Sequence, residues 1–195
     1  MFYGTKDAGI IIKAIKDGKI VVVPTDTLFG LCCDVNNITS VRRIYEIKNR
    51  PFTLPLSIAV KNKDYIYKIT KNVSKKAEEI IDTYFPGQVT IVLEKNNLIP
   101  DIVTANSKYV GIRIPNDEKL LYILNELDSP IVLTSANLHG YENCQNLDDV
   151  KKQIGGEIDY VYNVSTKVSN KCSTIVRVVN NNAEILRNGV INIIT

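Results

Sequence analysis

Short β-branched runs that stop abruptly at proline or glycine, separated by stretches of helical spacing, most limit the folds open to this chain. The first run, Lys19 to Val23, is too short and too β-branched for a helix and is halted by Pro24. Thr25, Asp26 and Thr27 therefore fall in a loop at a strand's C-terminal end, where open α/β sheets bind ligands. Before it, Ala8 to Lys16 carries Ile11, Ile12 and Ile15 at helical spacing with Gly18 beyond. After it, Ile38 to Lys48 returns to that spacing until Pro51 forces Arg50 out of the helical region. Further strands are predicted at residues 56–60, Val89 to Leu93, Tyr109 to Ile114 and Ile131 to Thr134. Helices are predicted over Ser74 to Tyr84, Glu118 to Leu127 and Leu147 to Ile154, with Phe85-Pro86-Gly87 as a turn. The alternation then gives way to strands alone. Ser173 to Val179 and Ala183 to Leu186 flank Asn180-Asn181-Asn182 as an antiparallel hairpin, and Val190 to Ile194 reads as a last strand. This order predicts an α/β fold with a twisted, mixed parallel and antiparallel sheet and flanking helices.

Composition narrows the function. A length of 195 residues suits a single domain over 1–195, and a net charge of +3 is too mild to argue for nucleic acid by itself. No apolar run approaches the roughly 20 residues of a membrane span, and no leader pattern is evident, so a soluble, cytoplasmic protein with no membrane partner is expected. Cys32, Cys33, Cys144 and Cys172 lack the spacing of a zinc site and the density of a disulfide scaffold, so free thiols and no bound metal are expected. His139 is the one histidine, without a carboxylate or nucleophile pattern around it, which argues against a histidine-based triad.

The polar residues at the strand ends carry the chemistry. Lys48 and Arg50 place two cations at a helix exit, a point charge and a bidentate fork that suit a triphosphate. Arg113 lies between Ile112 and Ile114, so strand alternation turns it away from both, toward solvent or a cleft. Arg187 adds a guanidinium at another strand end. Thr25, Thr27, Thr134, Ser135, Asn137, Ser173 and Thr174 each cap helices or close turns in many proteins, but together could hold an ammonium, a hydroxyl and a carboxylate. The expectation is a basic, concave cleft for phosphates and a small zwitterion.

Seven ordered motifs make this more specific: P-T-D-T-L-F-G-L, K-N-R-P with Pro55-Leu56-Ser57, F-P-G-x-x-T, V-G-I-R-I-P, T-S-A-N-L-x-G, S-T-I-V and I-L-R-x-G. From about Ala8 to Ile194 the chain resembles the YrdC/YciO family of threonylcarbamoyl-AMP synthases, in the short form without an extra C-terminal domain. The resemblance implies an enzyme that joins L-threonine, bicarbonate and ATP, with Mg²⁺ on the triphosphate, into threonylcarbamoyl-AMP and pyrophosphate. The product would pass to the machinery that transfers threonylcarbamoyl to tRNA. The resemblance also implies that Thr27, Arg113, Ser135 and Ser173 contact threonine. Lys48, Arg50, Asn137 and Arg187 would hold ATP, with Lys48 and Arg50 as the catalytic pair. The chain departs from the family pattern at Gln88, where a proline is usual, at Arg177 for aspartate, at His139 for serine and at Ala59 for a histidine found in some relatives. Tyr141 to Gln145 lacks a Pro-Ser-rich segment. Three other readings compete: a catalytically weak paralogue, a module using the cleft for double-stranded RNA, rRNA or tRNA, and a carbamoyl-transfer domain, which normally belongs to a much longer chain.

Overall fold

The computed structural model describes residues 2–165, 169 and 171–193. Its strands are β1 (Tyr3–Thr5), β2 (Val21–Val23), β3 (Gly30–Asp34), β4 (Ser57–Ala59), β5 (Val89–Glu94), β6 (Tyr109–Arg113), β7 (Ile131–Ser135), β8 (Tyr160–Tyr162), β9 (Thr174–Val179) and β10 (Asn182–Arg187). Its helices are α1 (Ala8–Lys16), α2 (Ile38–Ile47), α3 (Lys63–Ile69), α4 (Lys75–Tyr84), α5 (Glu118–Asn125) and α6 (Leu147–Ile154). The strands form one sheet in the order β1-β8-β2-β3-β7-β4-β6-β5-β9-β10. Four neighbouring pairs are parallel, β1 with β8, β8 with β2, β4 with β6 and β5 with β9; the other five are antiparallel. This is the mixed sheet that the order of elements predicts.

Side-chain caps begin every helix. Asp7, Asn37, Asn62, Ser74, Asp117 and Asn146 each accept a backbone N–H of the first turn, which is why the helices start where polar residues precede apolar periodicity. Alternation along the strands then sends residues to two unlike faces. Val22, Leu31, Cys33, Ile58, Ile91, Ile112 and Val176 join Tyr45 of α2, Ile66 of α3, Ile81 of α4 and Val150 of α6 in one cluster. Val21, Val23, Cys32, Ala59 and Ile131 pack on the other face against Ile11 and Ile15 of α1 and Ile123 of α5. On that second face, the floor farther along the sheet is left for a cavity.

Four elements were not anticipated from the sequence: β1, β3, β8 and α3. Three-residue strands carry almost no periodicity. In β3, Gly30-Leu31-Cys32-Cys33-Asp34, both faces are covered, so no polar alternation marks it. The last predicted strand is corrected. Residues 190–193 form no strand, because the Thr174 hydroxyl takes up their backbone: it accepts from Gly189 N and Ile191 N at 3.1 and 3.2 Å and donates to Ile191 O at 2.6 Å. Ile194 lies outside the described residues. The hairpin turn is tighter than expected. Asn180 and Asn181, with φ of 49° and 64°, make the two-residue turn and Asn182 already belongs to β10.

Gly189 lies against the start of β9, where an added Cβ would stand 2.4 Å from Cys172 O and from Thr174 N. Both obstacles are backbone and cannot rotate away. Gly189→Ala should therefore cost about 1–3 kcal/mol. Scanning calorimetry should show a melting temperature lower by about 2–12 °C.

Candidate active site

The cavity of about 450 Å³ lies over β4, β6, β5 and β9 and is walled by the 25–30 loop, the end of β7 and the exit of α2. Gly111 opens its floor, since a Cβ there would meet Ser57 Oγ at 3.1 Å and Thr90 Cγ2 at 3.3 Å. Four arginines line it, Arg50, Arg113, Arg177 and Arg187, and among the described residues no carboxylate does. Six of the eight expected site residues are in its wall: Thr27, Arg50, Arg113, Ser135, Ser173 and Arg187.

Arg113 and Thr27 are joined beneath the wall. On β6, alternation buries Ile112 on the helix-covered face and turns Arg113 to the cavity, where it is 7% exposed. A buried guanidinium needs acceptors. Nη2 donates to Asp26 Oδ1 at 2.7 Å, Nη1 to Thr27 Oγ1 at 2.7 Å and Nε to Gly87 O at 3.0 Å, leaving two of five N–H groups uncommitted. Burial pulls the guanidinium below its ordinary pKa, Asp26 opposes this, and Arg187 adds to it by repulsion. The 25–30 loop is locked by Thr25, whose hydroxyl donates to Leu28 O at 2.7 Å and accepts from Thr27 N at 3.0 Å. Thr27, 3.0 Å from Thr25 Oγ1, must then donate to it and accept from Arg113. Asp26 Oδ2 is buried with no partner among the described residues.

K-N-R-P works through Asn49. The N–H groups of Asn49 and Arg50 close back on Glu46 O and Tyr45 O, both at 2.9 Å, with Asn49 at φ 48°, a left-handed helix stop. The chain reverses there, so Lys48 turns inward and Arg50 toward the cavity. Arg50 donates to Leu54 O at 3.2 Å and Pro55 O at 2.8 Å, with Nη1 3.3 Å from His139 Nδ1. Lys48 and Asn137 stand behind the wall rather than in it. Lys48, 2% exposed, donates to Ser135 O, Asn137 O and Asn137 Oδ1 at 2.5, 2.7 and 3.1 Å. Ser135 Oγ donates to Asn137 Oδ1 at 2.6 Å, leaving its lone pairs free to accept. These bonds explain why the two residues are buried: they fix the end of β7.

A one-residue bulge aims the last arginine. Ile185 pairs with Val176 but Arg187 with Ile175, a shift that brings Arg187 onto the cavity face of β10. It donates to Ser173 O at 2.8 Å and Ser173 Oγ at 3.2 Å, and Ser173 Oγ lies 2.9 Å from Thr90 Oγ1. Arg177 pairs with Glu184 at 2.5 Å. Among the described residues Arg50 and Arg187 make no ion pair, so two of the four cavity cations lack a carboxylate. Arg177, Ser57, Thr90, Ser107 and Tyr109 also line the cavity and were not among the expected site residues; alternation within β5, β6 and β9 was the signal that could have found Thr90, Tyr109 and Arg177. Ala59 lies on the cavity's face of the sheet but outside the lining, buried under the α5 side. All four cysteines are free, and burial pushes Cys32 up to about 12 and Cys144 to about 11, leaving both unreactive near neutrality. Among the described residues no helix is long and apolar enough to cross a membrane.

A mixed α/β sheet whose open face gathers arginines and hydroxyls defines a protein built to hold a small anionic ligand. Comparison with known proteins identifies the group: the Sua5/YciO/YrdC family model, described as "Telomere recombination", matches residues 13–189. The chain belongs to that family. It is 40% identical over 182 residues to a Methanocaldococcus jannaschii protein provisionally named threonylcarbamoyl-AMP synthase, covering 93% of this chain and 84% of that one. It is 30% identical over 147 residues to the Pyrococcus abyssi threonylcarbamoyl-AMP synthase, covering 75% of this chain but 43% of that longer protein. The P. abyssi Sua5 structure complexed with L-threonine matches with a TM-score of 0.90 at 26% identity, over 97% of this chain and 57% of that one. Escherichia coli YciO, at 18% identity and a TM-score of 0.84, shares the fold.

Burial first, then repulsion from Arg50, pushes the Lys48 ammonium down to about 7 from its ordinary 10.5. Between those values the unfolded chain holds a proton that the native state has released, so stability rises with pH from about 7 toward 10.5 and this gain is lost as pH falls. The slope for one such group is at most about 1.4 kcal/mol per pH unit. Denaturation of wild type and Lys48→Met across pH 6–10, in which other titrating groups cancel in the difference, should show the stability of wild type relative to the variant rising above about pH 7.

Proposed function

We propose that the protein is an L-threonylcarbamoyladenylate synthase, condensing L-threonine, bicarbonate and ATP to threonylcarbamoyl-AMP and pyrophosphate in the cytoplasm. The observation that carries the reading is the pair Arg50 and Arg187: guanidiniums without carboxylate partners among the described residues, in the wall of the cavity that also presents Thr27, Arg113, Ser135 and Ser173. Uncompensated cations in a cleft suit the phosphates of ATP. The uncommitted N–H groups of Arg113 suit the carboxylate of threonine, and the lone pairs of Ser135 and Thr27 suit its ammonium and hydroxyl. Lys48 and Asn137 act on ATP from behind, by setting the end of β7 beside the phosphates.

The chemistry asks for positioning rather than a strong base. The threonine ammonium gives up a proton to solvent, and the free amine forms a carbamate with CO₂, releasing a second proton, or with bicarbonate, releasing water; a carbamate oxygen then bonds to the α-phosphorus of ATP as the bond to pyrophosphate breaks. The nucleophile is already anionic, so the protein's part is to align it and to neutralise charge gathering on the leaving group, the role given to Arg50 and Arg187. Donors of this kind fit phosphate oxygens and not a bare cation, so Mg²⁺ would come with ATP, held by the triphosphate itself. The product would be handed to the tRNA threonylcarbamoyl-transfer machinery.

The test is incubation of purified protein with ATP, Mg²⁺, bicarbonate and single amino acids, following pyrophosphate release and the mass of the adenylate. Release that requires threonine and bicarbonate together, with a threonylcarbamoyl-AMP mass, is the expected result. ATP binding without turnover would point to a weak paralogue, and salt-sensitive RNA binding without ATP binding to a binding module. Arg50→Ala and Arg187→Ala should each lower turnover by about 100-fold or more while leaving the melting temperature within a few degrees. Full activity in either variant would remove that arginine from the phosphate site.

A further inference from the structure

Thr27, Arg113 and Ser173 belong to three different parts of the fold, and the short segment Gly87-Gln88 bonds Arg113 itself and Asp26 and Thr174, the chain neighbours of the other two. Gly87 O accepts from Arg113 Nε at 3.0 Å, and Gly87 N donates to Ile114 O at 2.9 Å, which fixes the end of β6. Gln88 O accepts from Thr174 N at 3.1 Å, which fixes the start of β9 beside Ser173. Those contacts are backbone and ask for no particular side chain at position 88. The third is different. Gln88 Nε2 donates to Asp26 O at 2.5 Å, across 62 residues of sequence, and no backbone group of the segment makes that link.

The link lands where the cleft is most tightly specified. Asp26 carries the carboxylate that neutralises Arg113, and the next residue, Thr27, accepts from the same guanidinium. Movement of the Asp26 backbone would shift both partners of Arg113 together. Thr25 secures the loop within itself and to Leu28. Besides Arg113, Gln88 is the side chain outside the loop seen to tie it to the neighbouring strand. A proline or an aliphatic residue at this position has no donor to offer.

We propose that Gln88 is a positioning residue for the amino-acid subsite: its side-chain amide clamps the Asp26 carbonyl and so holds Thr27 and Arg113 in the geometry that grips the carboxylate and hydroxyl of threonine. The proposal rests on the synthase reading. It confines the effect of Gln88 to one substrate, because Arg50 and Arg187, assigned to the triphosphate, make no contact with Gln88 or Asp26 among the described residues.

Gln88→Met keeps length and volume and removes the donor; Gln88→Glu keeps the shape and replaces the donor with an acceptor. For each, initial rates of pyrophosphate release would be measured against threonine and against ATP, with hydrogen exchange of the 25–30 loop in the ligand-free protein and the melting temperature. The expected result is a threonine KM raised about 5- to 10-fold, as loss of one buried hydrogen bond implies, with the ATP KM within about 2-fold. Exchange should rise in the 25–30 loop alone. An unchanged threonine KM in an active variant, or equal losses for both substrates with a lowered melting temperature, would overturn the role. Wild-type protein that turns over with no amino acid would overturn the synthase reading and this role with it. Active wild type beside an unaffected variant overturns the role alone.

Discussion

The buried ion pair between Arg113 and Asp26 is the interaction on which the cleft depends. Neither charge would be stable where it lies without the other, and removing one partner of such a pair typically costs about 3–5 kcal/mol. The pair joins a loop that follows β2 to a strand some 90 residues later, and β6 in turn lies between β4 and β5 in the cavity floor. Asp26 gives Arg113 only one oxygen, while its second has no partner among the described residues. With Thr27 and Gly87 taking two more N–H groups, the guanidinium is fixed at three points in the cavity lining.

Around that pair the architecture divides labour between the two faces of one sheet. One face is covered by α2, α3, α4 and α6 and carries the larger hydrophobic cluster. The other is covered by α1 and α5 over part of its extent, and the strands beyond them form the cavity floor. Alternation couples the two: Thr90, Gly111, Arg113 and Arg177 are each flanked on both sides by residues buried on the covered face. Ile112 and Ile114 anchor Arg113, and Val176 lies between Ile175 and Arg177. Rigidity in the hydrophobic layer is thereby passed directly to the polar one, which suits a site that works by alignment.

Much of this was legible in the sequence, and the reasons for the gaps are local. Pro24, Pro51 and the asparagines at 180 and 181 act within a few residues, so the loops they create could be read off directly. The direction of Arg113 also followed from its isoleucine neighbours. The separate fates of Lys48 and Arg50 could not, because they depend on Asn49 taking a left-handed conformation that reverses the chain between them. Strand β3 was hidden by burial on both faces, and β1 and β8 by their three-residue length. The aim of Arg187 rests on a bulge, which leaves no mark in residue spacing. The contact of Gln88 was equally hidden, because its amide bonds a carbonyl 62 residues away in sequence.

The placement of the late strands in the sheet has a consequence for synthesis on the ribosome. Strand β8 lies between β1 and β2, although β1 and β2 are separated by little more than one helix in the chain, and β9 joins β5 from the other end of the sequence. Strand β1 therefore waits for residue 160, while β2 can pair with β3 beforehand, and Ser173, Arg177 and Arg187 reach the cavity only with the final hairpin. A nascent chain can assemble much of its core and still own an incomplete cavity. The lining closes only at the end of translation, so a prematurely terminated chain lacks two of the four arginines that line it.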